Sequence, residues 1–224
     1  MNIQSDLQSQ KNPEKAKLLA KYFKTGKGEY GEGDVFIGLT VPQLRKIAWK
    51  YANLPLSDIE KLLHSPIHEY RLTALIILTG KGNTKEIVDL YLRNTKYINN
   101  WDLVDLSSHK ILGTFLLDKP RTLLYKLAKS KNIWERRIAV ISTFAFLREK
   151  DISDSLKLTE ILLHDSHDLM HKAVGWALRE VGKIDQKAEE RFLKKHYKSM
   201  PRTMLRYAIE KMSEEKRRKY LKKN

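Results

Sequence analysis

An all-α fold is predicted by three features of this sequence. Apolar residues recur at i, i+3, i+4 and i+7 along nearly every segment of the 224-residue chain, which is the spacing of one helix face. Proline stands at or near the start of several segments, where a helix tolerates it. The helical segments also repeat at intervals of 32 to 35 residues, which favours a stack of helical hairpins over an irregular bundle.

The elements follow from these signals in chain order. Pro13, Pro42, Pro120 and Pro201 open four of the segments, and Ser or Asp precedes several others. The predicted helices span 13–23, 41–52, 56–64, 68–78, 85–94, 101–117, 120–129, 133–149, 155–164, 167–182, 186–197, 201–212 and 213–223. We expect one HEAT-like repeat domain over 1–224, in which residues 1–11 could be flexible and 213–224 form a basic C-terminal helix.

Two columns of residues define the repeat. The first column carries charge at four of its five positions and consists of Leu72, Asp105, Arg137, Lys172 and Arg206. The second column stands two positions further on and holds small residues, Ala74, Ser107, Ala139, Val174 and Ala208. Stacked repeats present equivalent positions on one surface. The charged column is therefore either a basic ladder that follows a phosphate backbone or a set of ordinary solvated charges.

Charge bears on the partner class. The formal net charge is +16, and residues 187–224 alone hold 14 Lys or Arg against 5 Asp or Glu. Such an excess favours a nucleic acid over an anionic membrane surface or an acidic protein. No apolar run approaches the roughly 18 residues that span a bilayer, and no signal-peptide core is visible. We expect a soluble cytoplasmic monomer, associated with the nucleoid through DNA, with no membrane and no obligate protein partner.

Metal and cofactor motifs are weak. The chain has no cysteine, which excludes disulfides, a thiolate nucleophile and cysteine-ligated zinc. His164, His167 and His171 lie around one helix start, but a zinc site needs further converging ligands. A literal G-x-G-x-x-G within 26–38 follows a helix rather than a strand and carries acidic residues, so we interpret it as a flexible loop. We expect no metal and no cofactor.

The segment NNWDLVDLSSHKILG, residues 99–113, carries the chemistry. It places Trp101, Asp102 and Asp105 at the start of an otherwise apolar helix. Asp102 suits a first-turn position, where the helix dipole favours a carboxylate. An anionic group on a polycation is unexpected unless the partner brings positive charge to that point. A nucleic acid with a cationic, alkylated base would do so, although Asp105 could instead pair with Arg137 across adjacent repeats.

The chain resembles a known family, the AlkD-type DNA alkylation repair proteins, which are DNA glycosylases built from HEAT-like repeats. The resemblance runs over residues 12–212 and rests on NPEKAKLLAKYFKTG, WDLVD, NIWERR and KAVGWALRE. It implies a C-shaped, right-handed α-solenoid whose basic concave face holds duplex DNA.

The resemblance also implies roles for single residues. Asp105 takes the place of the family's catalytic aspartate, and Trp101 that of the tryptophan four residues before it. Arg137 matches the concave-face arginine that would hold a phosphate, and Trp176 and Tyr22 match aromatic residues that face the lesion. Lys172 and Arg206 would extend the phosphate contacts through the charged column.

The implied function is hydrolysis of the N-glycosidic bond of N3- or N7-alkylated purines in duplex DNA. A monofunctional enzyme is expected, because no lysine is set in an apolar environment as a Schiff-base nucleophile. One departure stands at Asn100, where the best-known member has a second tryptophan. Two alternatives are a non-enzymatic binder of bent or branched DNA and a HEAT-type protein scaffold, but the retained Trp–Asp–Arg–Trp set argues against the scaffold.

Overall fold

The computed structural model describes residues 2–222, and over that range the protein is all-α. No strand forms within these residues; one isolated bridge pairs Val35 with Ile67. The all-α prediction is therefore confirmed. None of the described helices is both long enough and apolar enough to cross a membrane.

The helices follow the predicted order. In the first half they are α1 (Ile3–Ser9), α2 (Pro13–Tyr22), α3 (Val41–Lys50), α4 (Leu56–Leu63), α5 (His68–Gly80), α6 (Lys85–Arg93) and α7 (Trp101–Ser108). In the second half they are α8 (Thr122–Leu127), α9 (Ile133–Ser142), α10 (Phe144–Arg148), α11 (Ser153–Ile161), α12 (Asp168–Ile184), α13 (Gln186–His196), α14 (Arg202–Ala208) and α15 (Glu214–Leu221). Short 3₁₀ turns cover Thr95–Tyr97 and Ile209–Lys211.

The helices gather into two compact units, which we call the N-terminal unit (residues up to Ile111) and the C-terminal unit (from Leu112 on). In the N-terminal unit α5 packs against α3, α4 and α7, and in the C-terminal unit α12 packs against α9, α11, α13 and α14. Each of these two helices is buried along most of its apolar face. A single repeat domain over 1–224 and a right-handed, C-shaped solenoid with a basic concave face stay predictions.

The column of small residues is buried throughout. Its five members, Ala74, Ser107, Ala139, Val174 and Ala208, are each at most 1% exposed. Small side chains at these positions allow neighbouring helices to approach closely. The charged column is mixed, since Leu72 and Arg137 are buried whereas Arg206 is exposed.

Two long predicted helices are interrupted. Residues 101–117 form α7 followed by a π-helical segment, His109–Gly113, and 133–149 divides at Thr143 into α9 and α10. A Cβ on Gly113 would collide with the backbone carbonyl of Ser142. The C-terminal unit thus brings two helices into backbone contact at the position where both lose regular α-geometry, which side-chain periodicity does not reveal.

Both ends of the chain refine the prediction. The sequence pattern predicts no helix in residues 1–11, but Ile3 and Leu7 are four apart and bury one face of α1. The predicted C-terminal helix 213–224 is present as α15, which Ser213 caps. Its last two predicted residues, 223–224, lie outside the described residues.

Candidate active site

The candidate site is built on the start of α7. The side-chain oxygen of Asn100 accepts a hydrogen bond from the backbone N–H of Trp101 (2.8 Å), and Asp102 accepts one from Leu103 N–H (2.9 Å). These bonds satisfy amides that a helix start leaves without partners. Trp101 and Asp105 are four residues apart, so they lie on the same side of α7, and both are partly exposed.

An apolar cleft of about 530 Å³ opens beside Trp101. Its walls come from α2, α3, α5 and the loop before α3, and Asp102 also lines it. Tyr22 and Leu18 stand on the α2 wall and are 64% and 69% exposed. The Tyr22 ring meets Trp101 edge-on at 6.1 Å between centroids. The N-terminal unit thus brings together two of the three residues predicted to contact the lesion.

A buried aromatic stack supports the Trp101 indole. Phe23 lies nearly parallel to it, with 5.3 Å between ring centroids and 18° between planes. Phe36 stacks on Phe23 at 5.1 Å and on the His68 imidazole at 4.6 Å. Both phenylalanines are at least nine-tenths buried. Because stacked rings in a packed core have little freedom, this arrangement restricts the orientation of the indole.

A buried chain of ionic groups lies next to that stack. His68 Nε2 is 2.9 Å from Asp102 Oδ2, and His68 Nδ1 is 3.1 Å from Asp34 Oδ2. Arg71 donates to the other oxygen of Asp34 at 2.6 Å, and the Asn100 amide donates to Asp34 at 3.3 Å. Two carboxylates and two cations therefore balance, and burial of this set is tolerated because each charge has a partner.

The pKa values of the two central groups agree with that balance. Burial alone would lower the pKa of His68, but the charge of Asp102 and the bonds to Asp102 and Asp34 outweigh it and raise the pKa to about 9. Burial alone would raise the pKa of Asp34, but the bond from His68 and the charge of Arg71 hold it below its usual value. Near neutral pH, His68 is an imidazolium and Asp34 a carboxylate.

The glycine-containing loop 26–38 is anchored at its end rather than left loose. The buried Glu69 carboxylate accepts backbone N–H bonds from Ile37 (3.0 Å), Gly38 (2.7 Å) and Leu39 (3.3 Å). Gly38 has φ +89°, and a Cβ there would collide with the Asn12 carbonyl, so glycine is required. The loop delivers Asp34 and Phe36 to the site and does not follow a strand as a dinucleotide motif would.

Asp105 contributes charge one turn beyond Trp101. Burial raises the pKa of Tyr91 above its usual range, and the nearby Asp105 carboxylate adds to that effect, against the hydrogen bond with Ser107. Asp105 thus lies close enough to the buried Tyr91 phenol to influence it and is still partly open to solvent. A carboxylate in such a place can stabilise positive charge on a bound group.

Trp176 lies in the C-terminal unit, on α12. Its indole N–H donates to Glu180 (3.0 Å), and Phe144 meets it edge-on at 4.6 Å between centroids. The indole is partly exposed and lines a groove of about 310 Å³ together with Phe144, Leu147 and Lys183. Trp176 therefore presents an accessible aromatic surface.

The predicted phosphate-binding cations have three different surroundings. Arg137 is 4% exposed and donates to the Leu169 carbonyl at 2.6 Å. Lys172 forms an ion pair with Asp168 at 2.8 Å, and Arg206 is exposed on α14. Of the three, Arg206 is exposed, whereas Arg137 is buried and bonded to the backbone.

The histidines near the start of α12 have structural roles. His167 accepts a hydrogen bond from Leu169 N–H and caps the helix, and His171 donates to the Asp165 carbonyl. Across residues 2–222 no three His, Cys, Asp or Glu side chains converge where they could hold a metal ion.

Sequence reasoning missed His68, Asp34 and Phe23. A signal for the first two existed, because Asp34, His68 and Asp102 are spaced by 34 and 34 residues, which is the repeat period. Opposite charges that alternate at the repeat period predict an ion chain between neighbouring repeats. Phe23 carries no comparable signal, since a lone aromatic residue at a helix end is common.

The chain is built of successive helical pairs, and one helix start carries an aromatic and ionic site. These features define a helical-repeat protein. Comparison with known proteins is more specific. The family model described as "DNA alkylation repair enzyme" matches residues 3–212, and the chain belongs to that family.

A solved structure supports the fold. The chain is similar to the structure of a predicted DNA alkylation repair enzyme from Enterococcus faecalis, with a TM-score of 0.74 and 20% identity over 92% of this chain and 98% of that one. At this identity the likeness concerns the fold alone. A search among proteins of curated function finds no match.

Proposed function

We propose that this protein is a monofunctional DNA glycosylase that hydrolyses the N-glycosidic bond of cationic N3- and N7-alkylated purines in duplex DNA. Membership of the DNA alkylation repair family supports a DNA substrate. The observation that carries the proposal is the placement of Asp105 one turn beyond Trp101, on a helix whose first residue borders an apolar cleft.

The chemistry of the substrate determines what the site must supply. An N3- or N7-alkylated purine already carries positive charge and leaves readily, so the proposed step needs no general acid, metal or cofactor. The remaining barrier is formation of an oxocarbenium-like sugar. A carboxylate fixed nearby stabilises that charge and orients the attacking water. We assign both roles to Asp105.

The aromatic residues would recognise the lesion. The exposed faces of Trp101 and Tyr22 would offer π-surface to the sugar and to the cationic base. For Trp176, which lies in the C-terminal unit, the resemblance to the family supports a contact of the same kind. Cation–π attraction contributes about 0.5–2 kcal/mol, more as water is excluded. This attraction favours the charged lesion over a neutral purine.

The net charge of +16 would bring the DNA to the site. Cations that neutralise phosphates release counterions and make binding salt-dependent without reading sequence. Arg206 and Lys172 are the accessible members of the proposed set, and Arg137 joins them if its side chain turns from the Leu169 carbonyl. We propose that the protein acts as a monomer.

Release of bases from N-methylated duplex DNA tests the proposal. We expect the wild type to release N3-methyladenine or N7-methylguanine, and Asp105→Asn to release them about 10²–10³ times more slowly, the usual cost of one preorganised electrostatic group. Asp89→Asn is the matched control, because this carboxylate lies in the same unit in an exposed pair with Lys85.

Binding measurements separate the alternatives. If neither the wild type nor Asp105→Asn releases a base while both bind DNA, the glycosylase proposal is wrong and a non-enzymatic binder of bent or branched DNA replaces it. If Asp105→Asn releases bases as fast as Asp89→Asn, the activity stands and the role of Asp105 is wrong.

A further inference from the structure

His68 has no assigned part in the proposed reaction, yet it occupies a central position in the N-terminal unit. Its side chain is 2% exposed, and both ring nitrogens point at carboxylate oxygens. An ionised carboxylate only accepts hydrogen bonds, so both contacts are satisfied only if both nitrogens carry protons. The geometry therefore calls for an imidazolium.

We propose that His68 is a positioning residue: as an imidazolium it fixes Asp102 and the ring of Phe23, and through them it sets how α7 presents the Trp101 indole and the Asp105 carboxylate. The part that concerns Asp105 rests on the proposed glycosylase function. The part that concerns Trp101 does not.

The first connection runs through Asp102. One carboxylate oxygen accepts from the Leu103 N–H in the first turn of α7, and the other accepts from His68 on α5. A single side chain thus joins the start of α7 to the neighbouring helix. Trp101 and Asp105 lie on either side of Asp102 in the sequence of α7. A shift of the Asp102–His68 contact therefore changes the direction of both side chains.

The second connection runs through the aromatic rings. His68 lies 5.0 Å from Phe23 and 4.6 Å from Phe36 between ring centroids, and Phe23 stacks under Trp101. A cation held against aromatic rings is attracted to them. From His68 one path leads through Asp102 to the backbone of Trp101, and the other leads through Phe23 to its indole.

The charged groups that face His68 come from three elements. Asp34 lies in the loop before α3, Asp102 on α7 and Arg71 on α5 itself. Loss of the His68 charge would leave two carboxylates balanced by Arg71 alone. The resulting excess negative charge would loosen the joint at Asp102, because buried like charges repel strongly.

The test uses His68→Gln, with His64→Gln as the matched control. His64 lies in the same unit and also forms a side-chain hydrogen bond, 2.7 Å to Asn94, but it packs against Tyr97 rather than the aromatic stack. The first readout is nitrogen NMR of the wild-type imidazoles at pH 8, where we expect both nitrogens of His68 to be protonated. The second is the indole N–H resonance of Trp101, assigned by loss in Trp101→Phe.

We expect His68→Gln to shift the Trp101 resonance, and to slow base release about tenfold to a hundredfold with duplex affinity within threefold of wild type. His64→Gln should leave all three measurements unchanged. A neutral His68 at pH 8, or a Trp101 resonance and base release in His68→Gln that match the control, would overturn the proposal.

If the wild type releases no base, the glycosylase function fails, and the Trp101 resonance alone decides whether His68 positions the indole. If His68→Gln does not fold, Asp102→Asn replaces it, because asparagine keeps an acceptor but removes the charge. We then expect the Trp101 resonance in Asp102→Asn to shift from its wild-type position, and an unchanged resonance contradicts the proposal.

Discussion

The two partly exposed tryptophans, Trp101 and Trp176, have different supports. The indole of Trp101 rests on Phe23, and beneath that stack lies the neutralised chain of buried charges around His68. The indole of Trp176 meets Phe144 edge-on and donates to Glu180, a carboxylate that it shares with Lys183. The first indole is held by a desolvated network, the second by a shared and partly solvated one.

The two indoles are therefore held with different rigidity. Buried, fully partnered charges penalise any movement that separates them, whereas a solvated carboxylate can exchange its partners for water at little cost. We therefore expect the N-terminal unit to supply fixed geometry at Trp101 and the C-terminal unit to supply an indole that adjusts to its partner.

Asp34→Ala is expected to have the largest effect, because it removes the carboxylate that both Arg71 and His68 contact. Leaving two cations buried without it should lower the free energy of unfolding by about 3–5 kcal/mol. Urea denaturation measures the change. The control Asp58→Ala removes an exposed pair with Lys61 and should cost less than about 1 kcal/mol. Equal losses in the two variants would contradict a desolvated network.

The stability contributed by His68 should depend on pH. Its pKa is about 9 in the folded protein and near 6.5 unfolded, so its contribution is complete below pH 6.5 and is lost as pH rises through 9. Linkage gives about 3 kcal/mol over that window.

Glu189 in the C-terminal unit also titrates in this range, since burial and the charge of Glu190 raise its pKa to about 8 against the charge of Lys216. The measurement is therefore the difference in unfolding free energy between the wild type and His68→Gln from pH 6 to 10. A difference that does not shrink with rising pH would argue against a charged His68.

Trp101→Ala and Trp176→Ala compare the two indoles directly. Loss of the fixed indole should slow release of methylated bases about tenfold to a hundredfold, matching 1–3 kcal/mol for an aromatic contact with a base. Loss of the Trp176 indole should slow base release by less than about tenfold. Single-turnover rates on methylated duplex DNA give both values. If Trp176→Ala proves the slower variant, the comparison is reversed.

Glu180→Gln is expected to have the smallest effect. The amide oxygen still accepts from the Trp176 indole, and the lost charge was partly solvated, so stability should change by less than about 0.5 kcal/mol. Thermal unfolding measures the stability, and Trp176 fluorescence reports a local change. A loss of 2 kcal/mol or more would place Glu180 in a network as rigid as that around His68.

The sequence allowed prediction of the fold class and most helices, because helix periodicity is a local property that Pro13, Pro42 and similar start signals reinforce. It also marked Trp101 and Asp105 as neighbours on one helix. The break at Thr143 escaped prediction, because side-chain periodicity does not reveal how closely the backbone at Gly113 approaches Ser142. The roles of the residues marked from sequence stay predictions.

Burial was the property hardest to infer. Histidine and arginine are polar residue types that usually lie at the surface. Tertiary contacts nevertheless bury both His68 and Arg137. Asp34, one of the two carboxylates that keep His68 protonated, lies in a loop that the sequence pattern predicts only as flexible. Ionic networks between distant segments become visible in a sequence only when they follow a repeat period.

The 34-residue spacing of Asp34, His68 and Asp102 has a consequence for folding. Successive helical repeats bury similar faces, so one repeat can dock on its neighbour displaced by a helical turn, about 5.4 Å. In such a misaligned stack His68 would lie beyond reach of both carboxylates, and unpaired charge would be trapped in the core. We therefore expect the ion chain to make the correctly aligned stack of the N-terminal unit more stable than its shifted competitors.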